Sequence, residues 1–501
     1  MGNASHNPPD PPPLSDPAPR SAPPDDARLI EEVRALAPEL VTDGGIDLER
    51  LVARLAAGDN AQRGGRYGLS WMGREAAERE TALPASGSLV ARPAESSGEP
   101  DTRNAIIEGE NLAVLRHLRD SHRGRVRCIY IDPPYNTGGD FVFADDFRTG
   151  RREYLRLSGQ TGSEETEGRL HSRWLSLMHP RLSIARELLE PEGFIAVSIG
   201  EEEVPNLRLL MDELFGSANH RNTIALRRHD KNLSRQFMQR GLTSLAVGFE
   251  YVLVYARSAA AIMRPVLRPA SQRRQRDGYW KGFWNAADRP TMRYDLFGVT
   301  PAAGQWKWKE STAREAADSY REYREKHAQR VSLEVYWEET GKSLRFLRRN
   351  PAGRGRNLGV EHWVPPSEGI LRSSDWTDLL VADSKHRTGV PFDNPKSTTV
   401  VGNLLRMLSA PDGIVLDFFA GSGSTAHAVM EVNREMGWEQ RFILVQLAES
   451  VDTDGFDTIA EMTRDRVRLA AGALGDTAGD TGFRAYRFDP AGGGPVGLPQ
   501  D

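Results

Sequence analysis

The most pointed chemistry in the sequence lies in Asp132-Pro133-Pro134-Tyr135, followed by Asn136. These residues come directly after a largely apolar run, 127–131, of the kind that forms a strand buried on both faces. Open α/β sheets place their ligand crevice at such strand ends. Two prolines fix the backbone and remove two amide donors, leaving only carbonyl acceptors. Asp132 adds a carboxylate, and Tyr135 adds a flat apolar ring with a polar tip. Acceptors beside an aromatic platform suit the exocyclic amine of a planar heterocycle, which donates two hydrogen bonds while its ring stacks. The same letters also fit a plain Pro-Pro turn with a capping Asp.

A second candidate runs through Asp417, Phe418, Phe419, Ala420, Gly421, Ser422, Gly423 and Ser424 into a helix. Strand, glycine turn and helix in this order let the backbone pass close to a ligand. Ser424 or Thr425 is positioned to cap the helix, whose first amides would face an anionic group. With Ala426 the spacing is GxGxxA, a loose nucleotide fingerprint that does not single out NAD. There is no GxxxxGK[ST] loop, so ATP hydrolysis lacks its usual anchor. The eleven histidines form no HExxH or other metal spacing. Cys128, the only cysteine, rules out an internal disulfide and a multi-thiolate zinc site, and it reads as a core residue.

The elements around these motifs alternate. Helices are expected at 111–119, 174–189 and 426–436, and strands at 127–131, 194–199, 251–255, 414–418 and 442–446. That alternation implies an α/β fold with a mostly parallel sheet covered on both faces. Residues 1–28 hold nine prolines and read as a disordered tail. Residues 29–103 form an N-terminal helical and linker region, in which Asp43-Gly44-Gly45 divides a helical hairpin spanning 27–57. The 501 residues carry 65 Lys and Arg against 70 Asp and Glu, a net charge of −5 that at first disfavours a polyanion partner. Mapped along the chain, the charge separates. Residues 221–360 hold 28 basic and 13 acidic residues, a net +15 on a −20 remainder. A charge asymmetry of this size points to an inserted polyanion-binding part. Within it Arg227, Arg228, Lys231 and Arg235 cluster, as do Arg273, Arg274 and Arg276, with Trp280, Trp284, Trp306 and Trp308 between and beyond them. Basic residues of this kind meet phosphates; the tryptophans are expected to be core. No apolar run reaches the length of a membrane span, and no secretory leader is evident, so the expected location is cytoplasmic.

Taken together, the two motifs resemble those of the amino-methylating DNA methyltransferases that use S-adenosyl-L-methionine. In that family a DPPY-type tetrad is catalytic and an FxGxG turn holds the cofactor. The order here, tetrad then long insert then turn, is similar to the β-class, whose target-recognition region lies between the motifs. Further stretches resemble the modification subunits of type III restriction–modification systems: 66–73 (RYGLSWMG), 106–112 (IIEGENL), 174–178 (WLSLM), 392–397 (FDNPKS) and 442–446 (FILVQ). The likeness covers roughly 65–490. It departs in a shorter chain, in Ser397 where a second proline is common, and in Glu110 where Asp is usual.

The resemblance implies a Rossmann-like methyltransferase fold in circularly permuted order. Residues 104–220 would be the catalytic half and 221–390 the target-recognition insert with one core strand near 251–255. Residues 391–475 would be the cofactor half and 476–501 a C-terminal extension. It implies methyl transfer to adenine N6 in double-stranded DNA by base flipping, because the tetrad begins with Asp. Cytosine N4, an RNA amine, or a DNA-specificity subunit without catalysis stay as alternatives. Asp132, Pro133, Pro134 and Tyr135 would be catalytic. Asp417, Phe419, Ala420, Gly421, Ser422, Gly423 and Ser424 would hold the cofactor, with Asp393, Asn394 and Lys396 as an extra segment. Glu449 is a candidate for the ribose hydroxyls, and Glu110 and Asn111 are weaker ones. A restriction subunit and a second copy of the chain are the candidate protein partners, and no metal is required.

Overall fold

The computed structural model describes residues 30, 41–42, 45–46, 68–136, 167–228, 245, 247–382, 389–392, 394–453, 455–475, 479–492 and 498. They fall into two units, 1–68 and 69–501. In the first, Val41–Thr42 pairs antiparallel with Gly45–Ile46, so a short strand pair flanks the expected break; most of the expected tail and helical hairpin lies outside the described residues.

The second unit is built on one ten-stranded sheet. In chain order its strands are β1 (Ser88–Ala91), β2 (Ala105–Glu108), β3 (Val126–Ile131), β4 (Leu189–Ile199), β5 (His220–Arg227), β6 (Phe249–Ala256), β7 (Asp375–Leu380), β8 (Ile414–Asp417), β9 (Arg441–Gln446) and β10 (Arg484–Asp489). Across the sheet the order is β7-β5-β6-β4-β3-β8-β9-β2-β10-β1. The six strands from β4 to β10 are mutually parallel. β6 runs antiparallel to both neighbours, and β1 closes the far edge antiparallel.

Among the described residues, the α-helices of seven residues or more are α1 (Arg74–Ala82), α2 (Asn111–His122), α3 (Glu167–Leu188), α4 (Val204–Met211), α5 (Glu310–Glu322), α6 (Leu333–Glu339), α7 (Thr398–Leu408), α8 (Ser424–Met436) and α9 (Ile459–Leu474). Alternation along β3 assigns them to layers. Ile129 and Ile131 pack on one face with α2, α3 and α4, whereas Cys128 and Tyr130 pack on the other with α7, α8 and α9. Cys128 is buried there, and burial pushes its thiol up to about 12, which suits a core residue.

Three strands, not one, come from the 221–390 interval: β5, β6 and β7. β7 reads Asp375-Trp376-Thr377-Asp378 and occupies the sheet edge, where polar residues face solvent, so it shows no apolar run. The 476–501 segment also supplies a sheet strand, β10, between β2 and β1. The rest of the insert carries cores of its own. Phe283, Leu296, Trp306 and Leu347 form one, and Tyr323, Tyr336, Phe346 and Trp363 another. Trp306 is fully buried, as expected for a core residue. Trp280, Trp284 and Trp308 are half-buried, under Arg348, Arg356 and Arg345 respectively.

Candidate active site

The two motifs meet because their strands are neighbours. β3 pairs parallel with β8, Val415 opposite Cys128 and Leu416 opposite Ile129. From β3 the chain crosses to β4 on one side, and from β8 it crosses to β9 on the other. The carboxyl ends of β3 and β8 therefore flank the point where the winding reverses, where open α/β sheets hold ligands. Asp132 leaves one end and Asp417 the other.

At the β3 end four side chains from three parts of the chain converge. The Tyr135 hydroxyl lies 2.9 Å from Asp132 Oδ1 and 3.0 Å from Glu250 Oε2, so its single proton serves either carboxylate. Lys396 Nζ donates to the Tyr135 hydroxyl at 2.6 Å and to Glu250 Oε2 at 2.7 Å, and stands 3.3 Å from Asp132 Oδ1. Its ammonium also lies over the Tyr135 ring, 4.9 Å from the centroid. Arg228 Nε faces Glu250 Oε1 at 3.5 Å. Burial raises the Asp132 carboxyl above its ordinary range, with Lys396 opposing the rise and Glu250 adding to it. Burial disfavours a charged Lys396, but Asp132 and Glu250 outweigh it and hold its pKa above the usual value.

The tetrad's carbonyls differ. Trp174 Nε1 donates to the Pro134 carbonyl at 2.7 Å. Among the described residues nothing donates to the Pro133 carbonyl or to Asp132 Oδ2. Behind the tetrad, Asn136 holds a left-handed φ of 60°. Its amide donates to Glu203, a fully buried carboxylate that also bonds His171 at 2.7 Å and Asn206 at 2.8 Å. That cluster pins the turn leaving β3.

At the β8 end the glycine turn is held both from within and by other elements. Asp417 accepts from the Phe419 amide at 3.0 Å and from the Thr425 hydroxyl at 2.5 Å. Burial pushes its carboxyl up to about 7, against those two bonds. Gly421 donates to Gln446 Oε1 at 2.7 Å, and Asn111 donates to the Phe418 carbonyl at 2.9 Å. Gly421 and Gly423 have φ of 51° and 81°. Gly423 itself is the residue before α8, and no side chain caps that helix; Thr425 turns to Asp417 and Ser424 to Arg466 instead. The expected Ser or Thr cap is therefore absent. Buried Arg466 bonds both Ser422 and Ser424, so these hydroxyls face the core side of the turn.

The remaining candidates disperse. Glu449 is half-buried just beyond β9, and burial raises its carboxyl. Glu110 caps α2 through the Leu112 and Ala113 amides and is held by Arg181, which also bonds Asn111. Asn394 is exposed with φ 51°. Lys396, expected in the cofactor segment, sits in the tetrad's network instead. Asp393, Lys231 and Arg235 lie outside the described residues. Arg227, Arg273 and Arg276 are exposed, and Arg274 stacks over Tyr279. Glu250 was not legible as a site residue, because nothing local distinguishes a lone Glu at the start of a strand. Among the described residues no helix is long and apolar enough to cross a membrane.

Residues 126–452 match the DNA methylase family. The type III restriction-modification enzyme StyLTI Mod subunit of Salmonella typhimurium is 30% identical over 482 residues, covering 90% of this chain and 70% of that one. The EcoP15I Mod subunit of Escherichia coli is 26% identical, covering 89% and 75%. Among solved structures, the cytosine-N4-specific PvuII DNA methyltransferase matches with a TM-score of 0.34 and 11% identity over 74% of this chain and 93% of that one. A likeness at that level argues nothing about fold or target base.

Proposed function

The chain belongs to the DNA methylase family, and from that premise we propose that it methylates adenine N6 in double-stranded DNA. The observation that carries the reading is the pair of acceptors at the end of β3, Asp132 Oδ2 and the Pro133 carbonyl, one strand from the glycine turn. Two acceptors suit the two hydrogens of an exocyclic amine. Holding both would localise the nitrogen lone pair and stabilise positive charge developing on it. Asp132, rather than Ser, at the head of the tetrad and the likeness to Mod subunits support adenine over cytosine N4. An amine stacked inside duplex DNA cannot reach this pocket, so the base must first be extruded. Lys396 stands over the Tyr135 ring, so a base stacking on that face must displace the ammonium.

S-adenosyl-L-methionine, when bound, supplies an electrophilic methyl group. Gly421 and Gly423 would pass the backbone close to it, and Glu449 would accept from ribose hydroxyls. The turn fits such a ligand: both glycines hold left-handed backbone, and a side chain at Gly421 would stand 3.5 Å from Phe392. The exposed Arg227, Arg273 and Arg276 would meet DNA phosphates. By likeness to named Mod subunits, the proposed partner is a restriction subunit in the cytoplasm; a second copy rests on the 27–57 helical pattern alone.

Tritiated S-adenosylmethionine with unmethylated plasmid DNA, followed by nucleoside mass spectrometry, tests the reading. N6-methyladenine is expected, and Asp132→Ala should reduce it about a hundred- to a thousandfold while cofactor binding persists. N4-methylcytosine would overturn the adenine assignment. Cofactor binding with no methylated nucleoside would favour a DNA-specificity subunit.

A further inference from the structure

We infer that Lys396 is a positioning residue of the target pocket, which keeps Asp132 ionised and aimed as an acceptor for the amine, and that Glu250 is the positioning residue that fixes Lys396 there. The inference rests on the proposed methyl transfer and goes beyond it by assigning two residues outside the tetrad. Lys396 lies 261 residues from Tyr135 in sequence and Glu250 lies 115, yet both reach the same hydroxyl. The ammonium donates hydrogen bonds to Tyr135 and Glu250 and forms a 3.3 Å ion pair with Asp132 Oδ1. The ammonium and the Tyr135 hydroxyl thus both engage Oδ1, and among the described residues no donor engages Oδ2.

Charge balance gives the arrangement its logic. The pocket gathers Asp132 and Tyr135 after β3, Tyr130 within β3, Glu250 from β6, Arg228 beyond β5, Asp417 from β8 and Lys396 before α7. Three carboxylates share this region, and burial works against ionising Asp132. A protonated Asp132 would present a hydroxyl and lose half its capacity to accept from the amine. Lys396 is the cation in contact with Asp132, and Glu250 fixes that cation by a 2.7 Å bond. Glu250 in turn is steadied by Arg228 at 3.5 Å.

The test compares wild type, Lys396→Gln, Lys396→Arg and Glu250→Gln as full chains, with melting temperatures to verify folding. Single-turnover transfer to unmethylated plasmid is measured at saturating cofactor from pH 5.5 to 9. In Lys396→Gln the acid limb should move upward by about one unit or more, so the rate below it falls about tenfold for each unit. Lys396→Arg should restore most of the rate, Glu250→Gln should lower the rate without moving the acid limb upward, since it loosens Lys396 but also removes a like charge beside Asp132, and cofactor affinity should stay within about twofold. An unmoved acid limb in Lys396→Gln would overturn the inference. So would a loss explained wholly by weaker cofactor binding. A readout without catalysis separates this from the functional reading: the Asp132 carboxyl carbon in 13C-aspartate-labelled protein, identified by its absence in Asp132→Asn. Its titration midpoint should rise in Lys396→Gln even if no methyl transfer were found; an unchanged midpoint would sink the inference alone.

Discussion

The two ends of the crevice are built in different ways. The β8 turn has a local frame, in which Asp417 bonds residues two and eight positions ahead and the glycines bend the chain between them, and Gln446, Asn111 and Arg466 brace that frame from outside. The β3 tetrad is secured from afar, by Trp174, Glu203, Glu250 and Lys396. The pocket proposed to admit a base has no such local frame and is assembled from separate elements of the chain. The difference also means that damage to the turn should read out as affinity, and damage to the pocket as rate.

Among effects on affinity and stability, the largest should come from breaking the turn. In Gly423→Val a branched side chain meets φ 81°, with its Cβ 3.2 Å from Thr463 Cγ2 and 3.3 Å from Val467 Cγ2. Left-handed backbone alone costs about 1–2 kcal/mol for a residue with a side chain, so calorimetry should find cofactor affinity lowered about tenfold or more. Unchanged affinity would remove the turn from the cofactor site. A smaller effect concerns Asp417. Its carboxyl titrates at about 7 in the fold against an ordinary 3.8. The fold thus favours the protonated form: that contribution to stability is whole below about pH 3.8 and is lost as pH rises through about 7. The urea midpoint without cofactor should therefore fall between pH 5 and 8, and Asp417→Asn should flatten the fall. A pH-independent midpoint would show that the turn solvates the charge. The smallest effect separates two adjacent arginines. Arg227→Ala should weaken DNA binding modestly and reduce the salt slope by about one. Arg228→Ala should in addition slow transfer, because Arg228 faces Glu250. Equal effects on transfer rate would dissolve the distinction between DNA contact and pocket.

What the sequence made legible follows the same division. The strands at 127–131, 194–199, 251–255, 414–418 and 442–446 all fall in the sheet, because buried parallel strands are nearly continuous apolar runs. β5 was hidden, since only Ile224 and Leu226 of His220–Arg227 are buried. The Asp417 turn could be read because the two partners of Asp417 itself, Phe419 and Thr425, lie within eight residues. Lys396 could be read only as a member of a motif, and its place beside Tyr135 depends on how far apart in sequence two neighbouring parts of a sheet can lie. Glu203 was missed for the same reason, though its burial makes it the anchor of Asn136.

Strand β10 lies between β2 and β1, although both of those precede the tetrad in the chain. During synthesis on the ribosome, β1 and β2 emerge early and must wait for Arg484–Asp489 before either finds its partner there. One flank of β2 thus stays an open, unpaired edge until residues 484–489 have been made, which is the condition that invites wrong pairing between nascent chains. Among the ten strands the far edge is the last to find its partners, and the order of translation, rather than any single contact, sets when the sheet can close.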